Sequence, residues 1–175
     1  MYSYLQDTTL DSMYNLATAY HTADRLDEAL PLLEEALILL RQSLPANRWL
    51  FGATAGLLVD CLLQKSQYHQ AESRLRESLG IRQTAAPNDW QTFHNQTLLG
   101  TALLGQNRHA EAEELLVAGY QGLKQQETKI PGAHKIRILK SAGDRLVRLY
   151  ESWERPDQAA EWRRKLGRPK SPEEP

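Results

Sequence analysis

The side chains that could carry out catalysis are scattered along this sequence. The adjacent pairs Glu34–Glu35 and Glu113–Glu114 have no partner base or nucleophile, and a solvated helix face explains both. No phosphate-binding glycine loop, dinucleotide-binding glycine motif or H-E-x-x-H zinc motif occurs. We therefore predict that the chain is not an enzyme and holds no metal and no cofactor. The histidines are equally dispersed, at His21, His69, His94, His109 and His134.

Cys61 is the only cysteine, so the chain can form no intrachain disulfide. It occupies the slot that Ala19 and Ala102 fill in other copies of a repeating pattern, which favours a small buried thiol over a nucleophile. The N-terminus lacks a positively charged region followed by an apolar run, and no segment approaches the roughly 20 apolar residues that span a bilayer. These features predict a cytoplasmic protein without a membrane partner.

The formal net charge of −1 conceals an uneven distribution along the chain. Residues 1–123 hold 8 Lys and Arg against 14 Asp and Glu, whereas residues 124–175 hold 13 against 8. A solvated surface explains this split. The sharper alternative is a basic C-terminal end that meets an acidic partner or the acidic end of another copy. An RNA-binding helical repeat is disfavoured, because only the C-terminal end is basic.

A leucine followed thirteen residues later by an alanine occurs four times. The alanines of successive copies are 42, 41 and 47 residues apart, a period typical of a stacked array of helix pairs. We predict an all-α array, with repeats spanning about 9–43, 51–84, 91–127 and 135–167, in which each pair buries its outer apolar face only against neighbours. The anchor residues are Leu16 and Ala29, Leu58 and Ala71, Leu99 and Ala112, and Leu146 and Ala159.

The first repeat shows how one helix pair forms. Its first helix has an apolar face at helical spacing, and Thr8 or Thr9 could cap its start. Asp24 is the predicted N-cap of the second helix, in which Pro31 should cause a tolerated kink. Small residues on the contact face, such as Ala29, let the two helices approach closely. The apolar face of the first helix consists of Leu10, Met13, Ala17 and Tyr20.

Other positions mark the ends of the array and one unusual helix. Residues 1–8 form a short N-terminal segment without a predicted helix. Gly52 and Gly56 lower the helix propensity of repeat two, so either packing must override that cost or another group must approach the backbone closely. In repeat four Arg163 replaces a core leucine, as suits a terminal cap, and Gly167 should stop the last helix. The predicted disordered tail is 168–175.

The repeats resemble tetratricopeptide repeats, and more narrowly the 42-residue form found in kinesin light chains. Asn15, Leu16, Ala17 and Tyr20 match the first half of that motif, and the second half recurs at 25–29, 67–71, 108–112 and 155–159. The resemblance covers about 9–167 and implies a right-handed α-solenoid of about four antiparallel helix pairs. It implies a protein–protein interaction module, a scaffold without catalysis. In general style the chain is similar to the repeat tails of some bacterial serine/threonine protein kinases.

In that family the first helices line a concave groove in which ligands often lie. The clamp by which chaperone-binding relatives hold a C-terminal carboxylate is not implied, because Tyr14, Leu57 and Leu98 stand at the corresponding places. The groove positions map onto Tyr14, Asn15, Thr18 and His21 in repeat one, onto Leu57, Asp60, Leu63 and Gln64 in repeat two, onto Thr97, Leu98, Thr101 and Leu104 in repeat three, and onto Arg145, Arg148 and Glu151 in repeat four.

Adjacent leucines in repeats two and three point about 100° apart on a helix, so one of each pair can face the core while the other faces the groove. Core between stacked repeats explains this wide apolar face. The functional alternative is an apolar floor that accepts an amphipathic helix or a hydrophobic peptide. We hypothesise that Leu57 and Leu98 form the floor, with Asn15, His21 and Arg148 on its polar rim.

Two functions remain open from the sequence. The first is a scaffold or adaptor that binds a protein or peptide partner in its groove. The second is a regulatory or oligomerising region of a larger signalling protein, such as a bacterial serine/threonine kinase, which would self-associate and would suit the abrupt N-terminal start of the array.

Overall fold

The structure, a computed structural model, describes residues 2–42 and 48–167, with side chains for 8–41 and 50–167. Within these ranges the chain is helical and contains no strand, which confirms the all-α prediction. Contacts divide it into two compact units, Met1–Gln67 and Tyr68–Pro175. The helices are α1 (Tyr2–Thr22), α2 (Leu26–Gln42), α3 (Arg48–Gln64), α4 (Tyr68–Ala85), α5 (Trp90–Leu104), α6 (His109–Gln125), α7 (Gly132–Ser152) and α8 (Pro156–Lys165), with a 3-10 turn at Glu127–Lys129.

Each helix pair is joined by a turn that contains one left-handed residue. Asp24, Ser66, Asn107 and Glu154 have φ values of 57°, 57°, 60° and 56°, and each lies five residues before its repeat's anchor alanine. The next residue donates a backbone hydrogen bond to a carbonyl five positions back, as in Arg25 N to Tyr20 O at 2.8 Å. This is the Schellman closure of a helix C-terminus. The prediction that Asp24 caps α2 is therefore wrong, because its backbone ends α1.

The same closure occurs at every turn between paired helices of the described chain. The remaining backbone bonds of this kind are Gln67 N to Leu62 O at 2.8 Å, Arg108 N to Leu103 O at 3.0 Å and Arg155 N to Tyr150 O at 2.9 Å.

The anchor positions are buried in all repeats except at Leu16. The anchor alanines are at most 1% exposed, and Leu58, Leu99 and Leu146 are 1%, 3% and 0% exposed. Leu16 differs, because 46% of it is accessible. A stacked array explains the difference if this position packs against the preceding repeat, since no helix of the described chain precedes α1.

The first unit, residues 1–67, packs α1, α2 and α3 around Leu10, Ala36, Leu40 and Leu50. α1 begins at Tyr2, so the predicted start at Thr8 or Thr9 is wrong and the segment predicted to lack a helix is part of α1. Pro31 lies inside α2, which continues past it to Gln42 as expected.

In the second unit, residues 68–175, α5 packs against α4, α6 and α7, and α8 packs on α7. The junction between repeats three and four is filled by Leu123, Ile130, Ile138 and Ala142, against which Trp90 and other half-buried aromatic side chains pack. α8 is closed by Gly167, whose φ of 68° confirms the predicted helix stop. Arg163 is paired with Glu151 on α7. The predicted tail 168–175 lies outside the described residues.

Glycines let α5 and α6 approach closely. A Cβ atom at Gly122 would lie 2.1 Å from Cδ1 of Phe93, and one at Gly119 would lie 2.6 Å from Cγ2 of Thr97. Side chains larger than a hydrogen atom therefore do not fit at these two positions of α6. At Gly52 and Gly56 a Cβ atom would have no neighbour within 4 Å, which removes the alternative of a closely approaching group and leaves packing elsewhere on α3 to override the propensity cost.

Carboxylates on the second helices contact the first helix or turn of the following repeat. In the first unit Asp27 on α2 pairs with Lys65, and in the second unit Glu113 on α6 accepts a hydrogen bond of 2.7 Å from the Tyr150 hydroxyl. Glu72 on α4 accepts hydrogen bonds of 2.8 Å from Gln106 and 2.9 Å from Arg108.

Opposing effects set the pKa of Glu72. Burial alone would raise it, but hydrogen bonds from Gln106, Arg76 and Arg108, together with the charge of Arg108, lower it to about 2. Glu72 therefore stays ionised at neutral and mildly acidic pH and links α4 to the turn between α5 and α6.

The contrast between Leu99 and Leu16 generates a stability prediction. Leu99→Ala leaves a cavity in a packed core and should lower the free energy of unfolding by about 2–5 kcal/mol. Leu16→Ala changes the same repeat position where the side chain is accessible, and it should cost less than about 1 kcal/mol. Urea unfolding followed by circular dichroism measures both values. Equal losses would contradict the assigned burial.

The glycines give a second prediction, in which two Gly→Ala substitutions change the stability in opposite directions. Gly122→Ala should destabilise the protein by about 1–3 kcal/mol, because the added methyl group meets the ring of Phe93. Gly80→Ala is the matched control inside α4, where a Cβ atom has no neighbour within 4 Å. It should stabilise the protein by about 0.5–1 kcal/mol through helix propensity. Thermal melts that shift in the same direction for both variants would refute the close approach of α5 and α6.

Candidate functional site

The predicted groove residues all lie on the first helices of the repeats, α1, α3, α5 and α7. The structure brings α1 against α3 in the first unit and α5 against α7 in the second. The α1/α3 surface carries eight of the predicted residues, and the α5/α7 surface carries the others.

The α1/α3 surface mixes accessible polar groups with half-buried apolar ones. Nε2 of Gln64 lies 2.8 Å from Nε2 of His21, and this contact joins the C-terminal ends of the two helices. The Thr18 hydroxyl donates to the backbone carbonyl of Tyr14 at 2.8 Å, as is common within helices. Asn15 and Gln64 are exposed, whereas the half-buried members are Tyr14, Thr18, His21, Leu57, Asp60 and Leu63.

The α5/α7 surface corrects one part of the sequence interpretation. Leu98 is only 4% exposed and belongs to the core, so it cannot offer the open apolar floor that was expected of it. Adjacent leucines were expected to divide between core and groove, but Leu98 and Leu99 are both buried because the contacts of α5 with α4, α6 and α7 leave little of this helix free. Thr101 and Leu104 remain half-buried, and Arg148 is exposed.

Arg145 is held against α5 through a threonine. Its Nη1 donates to Oγ1 of Thr97 at 3.2 Å, and that hydroxyl donates to the backbone carbonyl of His94 at 2.8 Å. Thr101 donates to the carbonyl of Thr97 at 2.9 Å. The guanidinium of Arg145 is thereby positioned beside the second turn of α5.

Sequence reasoning missed His94, whose backbone carbonyl accepts the hydrogen bond from Thr97. Nδ1 of His94 is buried and has no hydrogen-bond partner. Burial, followed by the positive charges of Arg145, Arg137 and Arg82, lowers the pKa of His94 to about 4. The signal was present in the spacing, because His94 precedes the mapped groove residue Thr97 by one helical turn.

Other aromatic and histidine contacts serve packing at the turns. The His109 ring stacks on Trp153 with ring centroids 5.5 Å apart, and the guanidinium of Arg155 lies 3.6 Å from the centroid of Trp153. Such a stack of a cation on an aromatic ring stabilises the turn between α7 and α8.

Within 8–41 and 50–167, no three His, Cys, Asp or Glu side chains converge as metal ligands. Cys61 is fully buried, and burial, with a smaller contribution from the charge of Asp60, raises the pKa of its thiol to about 11. None of the described helices is both long enough and apolar enough to cross a membrane.

Comparisons with known proteins point to one repeat type. Residues 9–47 match the family model of the tetratricopeptide repeat. Nearly identical TPR-like repeats from Podosopora anserina, assigned to a kinesin light chain, have a similar crystal structure with a TM-score of 0.71 and 19% sequence identity. The similarity covers 90% of this chain and 73% of that one, and a single-substitution variant of the same repeats gives the same values. No curated protein matches the sequence.

The burial of Cys61 predicts an unreactive thiol. At pH 8 a pKa of about 11 leaves about one thiol in a thousand ionised, and the side chain is inaccessible. We expect Ellman's reagent to modify the native protein far more slowly than the urea-unfolded protein, which should release one equivalent of chromophore. Cys61→Ala should release none. Rapid modification of the native chain would show that the thiol is not buried.

Proposed function

We propose that this chain, a tetratricopeptide-repeat protein by its first repeat and by its fold, is a protein–protein interaction module that binds a peptide or a helix along its first helices. The observation that carries the proposal is the surface of those helices, where half-buried apolar side chains are mixed with accessible polar ones. The apolar members are Leu57, Leu63 and Leu104, and the polar members are Asn15, Gln64 and Arg148.

Such a surface suits an amphipathic segment. Burying apolar side chains of the ligand against the half-buried leucines would favour binding, while the polar groups at the rim would fix the orientation of the ligand. The backbone closure at each turn holds the first helices in place before binding, so little conformational entropy is lost on their side. Because Leu98 is buried, the proposed apolar contacts are Leu57 on the α1/α3 surface and Leu104 on the α5/α7 surface, and each surface is a candidate by itself.

One observation favours a second candidate function, that of an oligomerising or regulatory region. Leu16 is 46% exposed on α1, although the equivalent leucines of the other repeats are buried. A second copy could cover this side chain, and a larger signalling protein, such as a serine/threonine kinase, could use that contact to bring its copies together. If this candidate function is right, the chain should self-associate, and light scattering should detect a dimer.

The groove proposal predicts which substitutions abolish partner binding. The wild-type chain and the single variants Leu57→Asp and Leu104→Asp are used as baits in a lysate of the native host, each first checked for helical content by circular dichroism. A charge on the half-buried leucine should remove partners that wild type retains, because the apolar contact is lost and the carboxylate is desolvated.

Ile38→Asp and Ile81→Asp are the matched controls, since they place the same charge on exposed isoleucines of α2 and α4, which are second helices. They should retain the partners. Loss of partners in the controls with retention in the groove variants would move the site to the second helices. Recovery of only the chain itself, together with a dimer in light scattering, would support the oligomerising function instead.

A further inference from the structure

One face of α1 is open, although the equivalent face of the other first helices is covered. Leu16 is 46% exposed, whereas the leucine at this position is buried in each of the other three repeats. Ala19, one turn further along, is exposed, whereas the side chains at its position in the other repeats are 0% exposed. We call Ser12, Leu16, Ala19 and Arg25 the Leu16 face. The other repeats therefore show what kind of group can cover it.

In repeats three and four the equivalent face packs against the second helix of the preceding repeat. Nδ2 of Asn95, four residues before the leucine of its repeat, donates to Oγ of Ser78 on α4 at 3.0 Å. Ala142, at the same position of repeat four, packs with Leu123 of α6. Ser12 occupies this position on α1 and is exposed. The position contacts a second helix in two repeats and is open in the first.

Arg108 shows how the turn at the end of this face holds a carboxylate from the preceding repeat. Its Nε and Nη2 donate to Glu111 of its own repeat at 2.7 and 2.6 Å. Its Nη1 donates to both carboxylate oxygens of Glu72 on α4, at 2.9 and 3.0 Å. One guanidinium group therefore joins the start of its own second helix to the second helix before it.

Arg25 stands at the position of Arg108, four residues before the anchor alanine, and uses the same two nitrogens in the same way. Its Nε and Nη2 donate to Oε1 of Glu28 at 2.9 and 2.7 Å, and its guanidinium carbon lies 4.6 Å from the centroid of the Tyr20 ring. Its Nη1 makes no hydrogen bond to any residue that the structure describes. The donor that Arg108 gives to Glu72 is therefore available at Arg25.

We propose that the Leu16 face binds an amphipathic helix of a partner protein, which places a glutamate on Nη1 of Arg25 and covers Leu16 with apolar side chains. A carboxylate complements the guanidinium group in charge and in hydrogen bonding. The apolar stripe of such a helix removes Leu16 from water. The inference goes beyond the groove proposal, because no residue of the Leu16 face is a predicted groove position.

The junction between α4 and α5 also gives the direction of the bound helix. Glu72, near the start of α4, contacts the turn after α5, whereas Ser78 contacts the first half of α5. The two helices are therefore antiparallel. A partner helix bound in this way runs antiparallel to α1, with its glutamate about two turns before the residue that lies opposite Ser12.

The last helix of a second copy does not carry this pattern. α8 has Ala160 at the position that Glu72 occupies on α4, so it offers no carboxylate there. It also has Arg163 where the other second helices have a buried leucine. Arg163 is paired with Glu151 on α7. A partner with a glutamate and an apolar stripe therefore suits the Leu16 face better than α8 of another copy does.

The experiment uses a peptide probe taken from α4, because α4 packs on α5, the first helix of the following repeat. The probe is residues 68–85 with blocked ends and Gly80→Ala, a change that favours the helical state. A fluorescein label reports its binding to the whole chain by fluorescence anisotropy. We expect saturable binding to wild type and affinity at least about tenfold weaker for Leu16→Asp, because a carboxylate then enters the apolar contact.

The carboxylate contact is tested by combining Arg25→Gln in the protein with Glu72→Gln in the probe. Each change alone should weaken binding about fivefold, the scale of one charge-assisted hydrogen bond near solvent. Both together should cost no more than either alone, because they remove the same interaction. Arg74→Gln in the protein removes the same charge from an exposed position on α4 and should leave binding unchanged. Additive losses, or an equal loss in this control, would overturn the assignment.

Two further measurements separate the Leu16 face from the groove and from self-association. Leu57→Asp and Leu104→Asp should bind the probe as wild type does. Loss of the probe in these variants, with retention in Leu16→Asp, would overturn the inference while the groove function stands. Light scattering of the chain alone should give a monomer, and a dimer that Leu16→Asp dissociates would assign this face to a second copy. Failure of wild type to bind the probe would also overturn the inference.

Discussion

Each helix pair depends on one backbone arrangement at the turn between its helices. A residue with positive φ ends the first helix, and the following N–H reaches back five positions to a carbonyl that would otherwise lack a partner. Positive φ costs non-glycine residues about 1 kcal/mol or more, so packing of the paired helices must hold it in place. The paired helices α1 and α2, α5 and α6, and α7 and α8 pack on each other. The anchor alanine five residues after the turn is buried in each of these pairs, so turn and anchor recur with one spacing.

The sequence predicted the helix pairs well because apolar periodicity and the small anchor residues report directly on burial. It failed at Asp24, where a residue type common at N-caps instead adopts the left-handed conformation that ends the previous helix. It left two alternatives open at Gly52 and Gly56, since composition cannot tell a glycine required by a neighbour from one in open space. The close contact at Gly122 depends on Phe93, which belongs to the preceding helix, and no local pattern reveals it.

The candidate site was predictable only in part, for a related physical reason. Helical spacing places residues on a face, and every mapped groove position lies on a first helix. Whether a side chain on that face is open depends on how many helices surround it, so Leu57 stays half-buried whereas Leu98 is enclosed. Contacts between helices are harder still to predict, because the hydrogen-bonded residues Arg145 and Thr97 lie on two helices and are 48 residues apart in the sequence.

The turn geometry determines how far the copies of a repeat can differ in sequence at this position. Four different residue types, Asp, Ser, Asn and Glu, occupy the left-handed position, because it requires a backbone angle and not a particular side chain. Copies of the repeat can therefore differ in residue type at this position and keep the same turn. The family model matches residues 9–47, whereas the similarity in three dimensions extends over 90% of the chain.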